Sequence, residues 1–306
     1  MSNLDSIAFH QGEFKPLKDC TVNIMTHALQ YGTMVFGGIR GYYNKNKDNV
    51  FLFRPYDHFQ RLHNSAKIMQ MKPPYSIEEM VNILKELVKR NQYRSNIYFR
   101  PFIYKSALRL SPSLHDVEDS FSVYTLLLDD YLDTNRGLRV AVSSWRRIDD
   151  NIIPTRAKVS GGYANSALAK SEALLNGFDE AIFLDSRGYV SEGSAENIFI
   201  VRNGVLYTPP NHAALLEGIT RRSIIEIAKR ENIPIEIRDI ARSELYIADE
   251  VFFTGTGAQV AWIAEIDRRI IGKGSIGPIT KHLKEKFNKI VYGEEPEYSD
   301  WIVPVY

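Results

Sequence analysis

The feature that most narrows the fold of this 306-residue chain is the alternation of hairpin signals with amphipathic helices along nearly all of its length. Asn203-Gly204, set between apolar runs, is the pair that a two-residue type I′ turn selects, because both positions need positive φ. β-rich runs at 96–104 and 121–128 bracket a loop holding Leu108 and Leu114, with Ser111-Pro112-Ser113 at its tip. Between such signals lie helices. Ser76 and Glu79 have capping-box spacing, and Ile77, Met80, Val81, Leu84, Leu87 and Val88 follow at helical intervals. Phe59, Leu62, Ala66 and Met69 mark one face of a helix from Asp57, after a short strand at 50–53. In the second half, strands are expected at 138–145, 180–185, 197–202, 234–239, 250–253 and 259–265. Helices are expected at 165–176, closed by Gly177, from about 218–220 onward, and at 277–290. Frequent hairpins mean antiparallel pairing, which excludes a purely parallel, doubly wound sheet. The expected class is α+β in two domains: a small one over 1–128 and a larger one over 138–306. The polar, turn-rich 129–137 reads as the linker.

Charge and cysteine content remove several function classes. Lys and Arg total 38 against 37 Asp and Glu, so no global field favours nucleic acid or an anionic membrane surface. The lone Cys20 excludes an intrachain disulfide and a cysteine-rich metal site, and suits a reducing compartment. The chain opens without a basic segment leading into an apolar one, and no uncharged apolar run approaches the roughly 18 residues of a membrane span. A cytoplasmic protein is expected, without a signal peptide.

Familiar catalytic signatures fail on inspection. Gly255-Thr256-Gly257 begins like a dinucleotide fingerprint, but Val260 replaces the third glycine and a strand pattern follows where a helix should. Gly272 to Gly277 has P-loop spacing but continues Pro278-Ile279. His58 and His63 are five apart, roughly 140° around a helix, and cannot share a metal as an i, i+4 pair would. No Gly-x-Ser-x-Gly elbow occurs. No metal is expected.

What remains is a set of ordered segments: His27-Ala28-Leu29-Gln30-Tyr31-Gly32, Phe36-Gly37-Gly38-Ile39-Arg40, Gln60-Arg61-Leu62-His63-Asn64-Ser65-Ala66 and Tyr98-Phe99-Arg100-Pro101. They continue with Lys158-Val159-Ser160-Gly161-Gly162-Tyr163, Ser191-Glu192-Gly193-Ser194-Ala195-Glu196-Asn197, Glu217-Gly218-Ile219-Thr220-Arg221 and Thr254-Gly255-Thr256-Gly257. Taken one by one, Lys158 reads as a solvated lysine, Glu192 as a turn glutamate, Thr220 as a helix cap and Arg61 as half of a surface ion pair. Taken together and nearly end to end, they resemble the class IV (fold type IV) aminotransferases, most closely the branched-chain amino acid enzymes.

The resemblance implies pyridoxal 5′-phosphate as cofactor, bound mainly by the larger domain. Lys158 matches the family lysine that holds it as a Schiff base and moves the substrate proton, a role suited to an amine whose pKa falls readily. Glu192 matches the carboxylate on the ring nitrogen, and Tyr163 the partner of the phenolic oxygen. Arg61, the amide of Ile219, Thr220 and Thr256 match the phosphate ligands, two of them at a helix start that favours anions. Tyr31, Phe36, Arg40, Tyr98, Arg100 and Tyr131 match the substrate pocket, with amides near Thr256 and Gly257 for the α-carboxylate. The implied reaction moves an amino group from leucine, isoleucine or valine to 2-oxoglutarate.

Three departures bear on specificity. Gly37 stands where the family usually has Glu, the loop 107–112 lacks glycines and carries Arg109, and residues 126–131 lack a tryptophan. Such changes leave room for relaxed specificity toward (R)-primary amines. The rivals within the fold are an (R)-selective amine transaminase, a D-amino-acid aminotransferase and an aminodeoxychorismate lyase; the rival outside it is a non-catalytic small-molecule binding protein. A homodimer or higher homo-oligomer is implied, because family sites borrow a loop tip, here 109–112, from the neighbouring subunit.

Overall fold

A computed structural model describes residues 4–128 and 136–306. Two compact units emerge. The first comprises Met1–Asp129, Ala157–Gly161 and Lys289–Tyr306; the second comprises Asp130–Arg156 and Gly162–Asn288. The segment carrying Lys158 and the last eighteen residues therefore fold with the first unit. The division falls inside the Lys158–Tyr163 run.

The first unit is built on an eight-stranded sheet. Its centre is the antiparallel pair Ile97–Lys105 and Asp119–Leu127, with Ile39–Asn44 and Met34–Phe36 also paired to Ile97–Lys105. Alternate residues of a strand point to opposite faces. On one face Ile97, Phe99, Ile103 and Phe121 are buried, and Phe59 of the helix Pro55–Ile68 meets Phe121 at 6.5 Å between ring centroids. The helix Ile77–Arg90 packs beside it, and its capping box forms as the sequence predicts. Pro55 takes the first helical position after Arg54, so the helix begins two residues before the expected Asp57.

The second unit holds a nine-stranded mixed sheet. Leu138–Arg146 runs parallel to both Glu180–Leu184 and Gln259–Ile266, while Asn197–Arg202, Val205–Thr208 and Glu250–Gly255 are joined by antiparallel pairing. Asn203 and Gly204 adopt φ of 50° and 78°, the turn that the sequence predicts. Phe199 and Phe252 lie directly opposite and stack with centroids 5.1 Å apart. The helix Tyr163–Leu175 starts two residues before the expected 165, out of a 3₁₀ turn over Ser160–Gly162, and Gly177 leaves it at φ 77°. The α+β class is as expected. Among the described residues, no helix is long and apolar enough to cross a membrane.

Candidate active site

Within the first unit, the face of the sheet opposite the helices collects four of the predicted residues. Arg40 lies across from Tyr98, and Phe36 across from Phe102, so strand geometry brings Phe36, Arg40, Tyr98 and Arg100 to one side. The Arg100 guanidinium sits 4.9 Å from the Phe36 ring and 5.3 Å from the Tyr98 ring. Arg40 is buried; its guanidinium donates to the Leu128 carbonyl at 2.7 Å and lies 5.1 Å from Tyr42. Lys158 joins this face: its carbonyl accepts from the Phe36 amide at 3.0 Å, and its Nζ is 5.3 Å from the Phe36 ring.

Two features that pattern reading passed over hold Lys158 there. Ser65 Oγ, on the helix that carries Arg61, accepts from the Lys158 amide at 3.3 Å and donates to the Arg61 carbonyl at 2.9 Å. The Gly32 carbonyl accepts from both Ser160 Oγ and the Gly161 amide, where a Cβ on Gly32 would come within 2.7 Å of Gly161. Gly38 is equally constrained, since an added Cβ would lie 2.2 Å from the Tyr98 hydroxyl. The Gly37 amide donates to Pro101, and a Cβ there would meet the proline ring at 3.2 Å, tight enough to disfavour a larger residue without local adjustment. Tyr31 ends the short helix His27–Tyr31, its ring 4.8 Å from that of His27. His27 in turn binds the Ser111 carbonyl through Nε2, so the loop 107–112 is tied to that helix. Tyr131 lies outside the described residues.

In the second unit, Glu192 is placed by a β-bulge. Its strand, Val190–Gly193, pairs with Glu180–Leu184 through an irregular register, and all four of its residues are buried where plain alternation would expose two. The carboxylate is met by Asn197 Nδ2 and the Leu216 amide, each 3.1 Å from Oε2, and by Arg147 Nε, 2.9 Å from Oε1. Asn197 also donates to the Leu216 carbonyl at 2.8 Å. Gly218 makes this possible, because a Cβ on it would sit 2.0 Å from Asn197 Oδ1.

Gly218 is also the N-cap of the helix Ile219–Arg230, whose first turn carries no acidic residue and whose cap supplies no side-chain hydrogen bond. Amides at such an end favour an anion, and the buried Thr220 adds a hydroxyl. Thr256 and Gly257 occupy the tight connection between Glu250–Gly255 and Gln259–Ile266, both half-buried, and Gln259 closes it at φ 56°. Tyr163 is the first residue of its helix and half-buried. In the first unit, a lysine against an aromatic ring suits a group with an aldehyde; in the second, an uncapped helix start and a buried carboxylate suit a phosphate and a basic ring nitrogen. Arg147, Asn197, Ser65 and the glycines 38 and 218 were not marked by sequence reading. Of these, Ser65, Asn197 and the two glycines lie within the family motifs, which is a signal that could have found them, whereas Arg147 lies outside all of them.

The model of the family described as Amino-transferase class IV matches residues 34–266. A probable branched-chain-amino-acid aminotransferase of Aquifex aeolicus is 48% identical over 300 residues, covering 98% of this chain and 96% of the relative. The structure of a branched-chain aminotransferase from Thermoproteus uzoniensis with norvaline superposes with a TM-score of 0.94 at 41% identity, covering 98% of this chain and 99% of the other. That of the T.th. branched-chain amino acid aminotransferase complexed with N-(5′-phosphopyridoxyl)-L-glutamate gives 0.93 at 41% identity, covering 99% of each.

Proposed function

Because the chain belongs to the class IV aminotransferases, which are pyridoxal 5′-phosphate enzymes, we propose that it moves the amino group of leucine, isoleucine or valine to 2-oxoglutarate. The observation that carries this reading is the mixed face of the first sheet, where Phe36 and Tyr98 offer apolar area and Arg100 and Arg40 offer positive charge beside the Lys158 ammonium. An aliphatic side chain suits the rings, and the second carboxylate of 2-oxoglutarate suits a guanidinium fork. The norvaline and phosphopyridoxyl-glutamate complexes of the relatives fit the same pair of demands.

When bound, the cofactor supplies an aldehyde for the substrate amine and an electron-withdrawing ring that loosens the Cα proton. Lys158 Nζ would hold the group through its aldehyde and, once displaced there by the substrate amine, would be the base that takes the proton from Cα of the amino donor and returns one to the acceptor carbon. Glu192 would meet the ring nitrogen and Tyr163 the phenolic oxygen. Arg61, the Ile219 amide, Thr220 and Thr256 would hold the phosphate. Amides at Thr256 and Gly257 bind the α-carboxylate, with Tyr31 and Tyr131 completing the pocket. Gly37 removes the carboxylate usual at this position, which supports some turnover of (R)-primary amines. The protein works in the cytoplasm. Its assembly is a homodimer, a reading supported by the exposed Ile24, Leu29, Leu108 and Leu110 around the 107–112 loop.

Visible absorbance of the purified holoenzyme tests this. The cofactor band should collapse with L-leucine, return with 2-oxoglutarate, and be absent from Lys158→Ala in its lysine-linked form. A band that ignores L-leucine but bleaches with D-alanine or (R)-1-phenylethylamine would replace the branched-chain reading with one of its rivals. No band even after added cofactor would leave a non-catalytic binding protein.

A further inference from the structure

Arg147, largely buried beside the buried Glu192, has no part in the reaction as proposed, and we infer that its ion pair with that carboxylate sets the proton affinity of the cofactor site. Arg147 is a positioning residue: by pairing with Glu192 it weakens the hold of that carboxylate on a proton at the ring nitrogen. This rests on the proposed function, in which Glu192 faces that nitrogen.

The geometry is specific. Arg147 directly follows the strand Leu138–Arg146, and its amide donates to the Leu184 carbonyl at 2.8 Å, which fixes its backbone in sheet register. Its guanidinium lies 5.6 Å from the ring of the fully buried Phe183, with Nε 2.9 Å from Glu192 Oε1. The two side chains are 11% and 7% exposed. Burying a guanidinium is costly unless a carboxylate compensates it, and among the described residues neither Nε nor Nη1 of Arg147 makes a well-aligned hydrogen bond, so its contact with Glu192 is an ion pair. The buried Arg221 of the same unit spreads its donors over neutral oxygens, those of Thr208 Oγ1, Asn211 Oδ1 and the Pro209 carbonyl. Arg147 instead presents its charge to Glu192, whose other oxygen takes two neutral donors from Asn197 and Leu216.

A cation at that distance attracts the same anion that a protonated ring nitrogen would attract, and repels the positive charge on the ring. Burial keeps salt from screening either effect. Were Glu192 present only to protonate the ring as firmly as it could, Arg147 would work against it. The pair therefore sets an intermediate proton affinity.

Nitrogen-15 NMR of holoenzyme loaded with ring-labelled pyridoxal 5′-phosphate reads this proton directly. Arg147→Met should move the ring-nitrogen signal toward the protonated value and raise its titration midpoint by about one pH unit or more. Arg147→Lys, which keeps the charge on a shorter reach, should move it less. An unchanged or lowered midpoint in Arg147→Met overturns the inference. If that variant does not fold, Arg147→Gln carries the same expectation and the same refutation. Glu192→Gln separates the two levels: a midpoint equal to wild type would sink the assignment of Glu192 to the ring nitrogen. A drop there, with no response in the arginine variants, would sink the role of Arg147 alone.

Discussion

Arg100 occupies a strand position whose neighbours on either side, Phe99 and Pro101, face the core, so its charge reaches the opposite face by pleating alone. Held over Phe36 and beside Tyr98, it is the group best suited to a substrate's second carboxylate. Hydrogen bonds to charged groups contribute roughly 1.5–3 kcal/mol. Arg100→Met should therefore raise KM for 2-oxoglutarate by about 10- to 150-fold, while the half-reaction with L-leucine changes far less. Equal losses in both half-reactions would show that Arg100 acts on the fold or the cofactor instead. At this scale the sequence was most readable where residue type is chemically irreplaceable, as at Lys158 and Glu192. It was least readable at Arg147, which sits in the run Trp145-Arg146-Arg147 and looks like a solvated strand end. Only the fold shows that this one arginine is turned inward onto Glu192.

At the scale of elements, the capping box at Ser76, the Asn203-Gly204 turn and Gly177 were legible because each is set by a few neighbouring residues. The short strands Ile7–His10, Met34–Phe36 and Val190–Gly193 were not, because three or four residues hold too little pattern and their pairing partners are remote in sequence. The bulge that aims Glu192 belongs to the last of these. The first carries a titrating group. His10 is buried, its Nδ1 paired with Ser122 Oγ and its Nε2 with the Thr21 carbonyl. Burial pushes this imidazole below its ordinary range, with nearby Lys15 acting in the same direction. The unfolded chain then takes up the proton first as pH falls, so the contribution of His10 is complete above about pH 6.5 and is lost as pH drops from there toward the folded-state value. His63, lowered by burial in the same way, has the same sign. Urea midpoints should thus fall between about pH 7.5 and about pH 5.5, and His10→Gln should flatten part of that fall. A slope identical to wild type would assign the effect to other groups.

At the scale of the molecule, the first unit leaves apolar residues in water that a stable monomer would cover. Ile24 is 84% exposed, Leu110 77% and Leu29 63%. The bridge between Thr26 and Leu108 joins their two segments into one patch. An apolar cavity of about 420 Å³, lined by Val22, Leu29, Phe102 and Tyr124 among others, opens in the same unit. A second copy of the chain is the occupant proposed for this surface. Leu110→Asp should shift the protein toward monomer in sedimentation velocity and lower activity with it. Wild-type protein that sediments as a monomer at every concentration tested would remove the partner subunit from the site.

By itself the sequence determined the α+β class, the longer helices to within about two residues of their starts, and the family to which the chain belongs. These follow from local spacing and from motifs whose residue types the chemistry does not allow to vary. Tertiary structure decided what lies beyond the reach of neighbouring residues. The register that turns Arg40, Tyr98 and Arg100 to one face is set between strands. The return of Ala157–Gly161 and of the last eighteen residues to the first unit is a matter of chain topology. The burial that makes Arg147 answer to Glu192 exists only once two strands and Phe183 have closed around it, because the strength of a charge depends on the medium the fold builds around it.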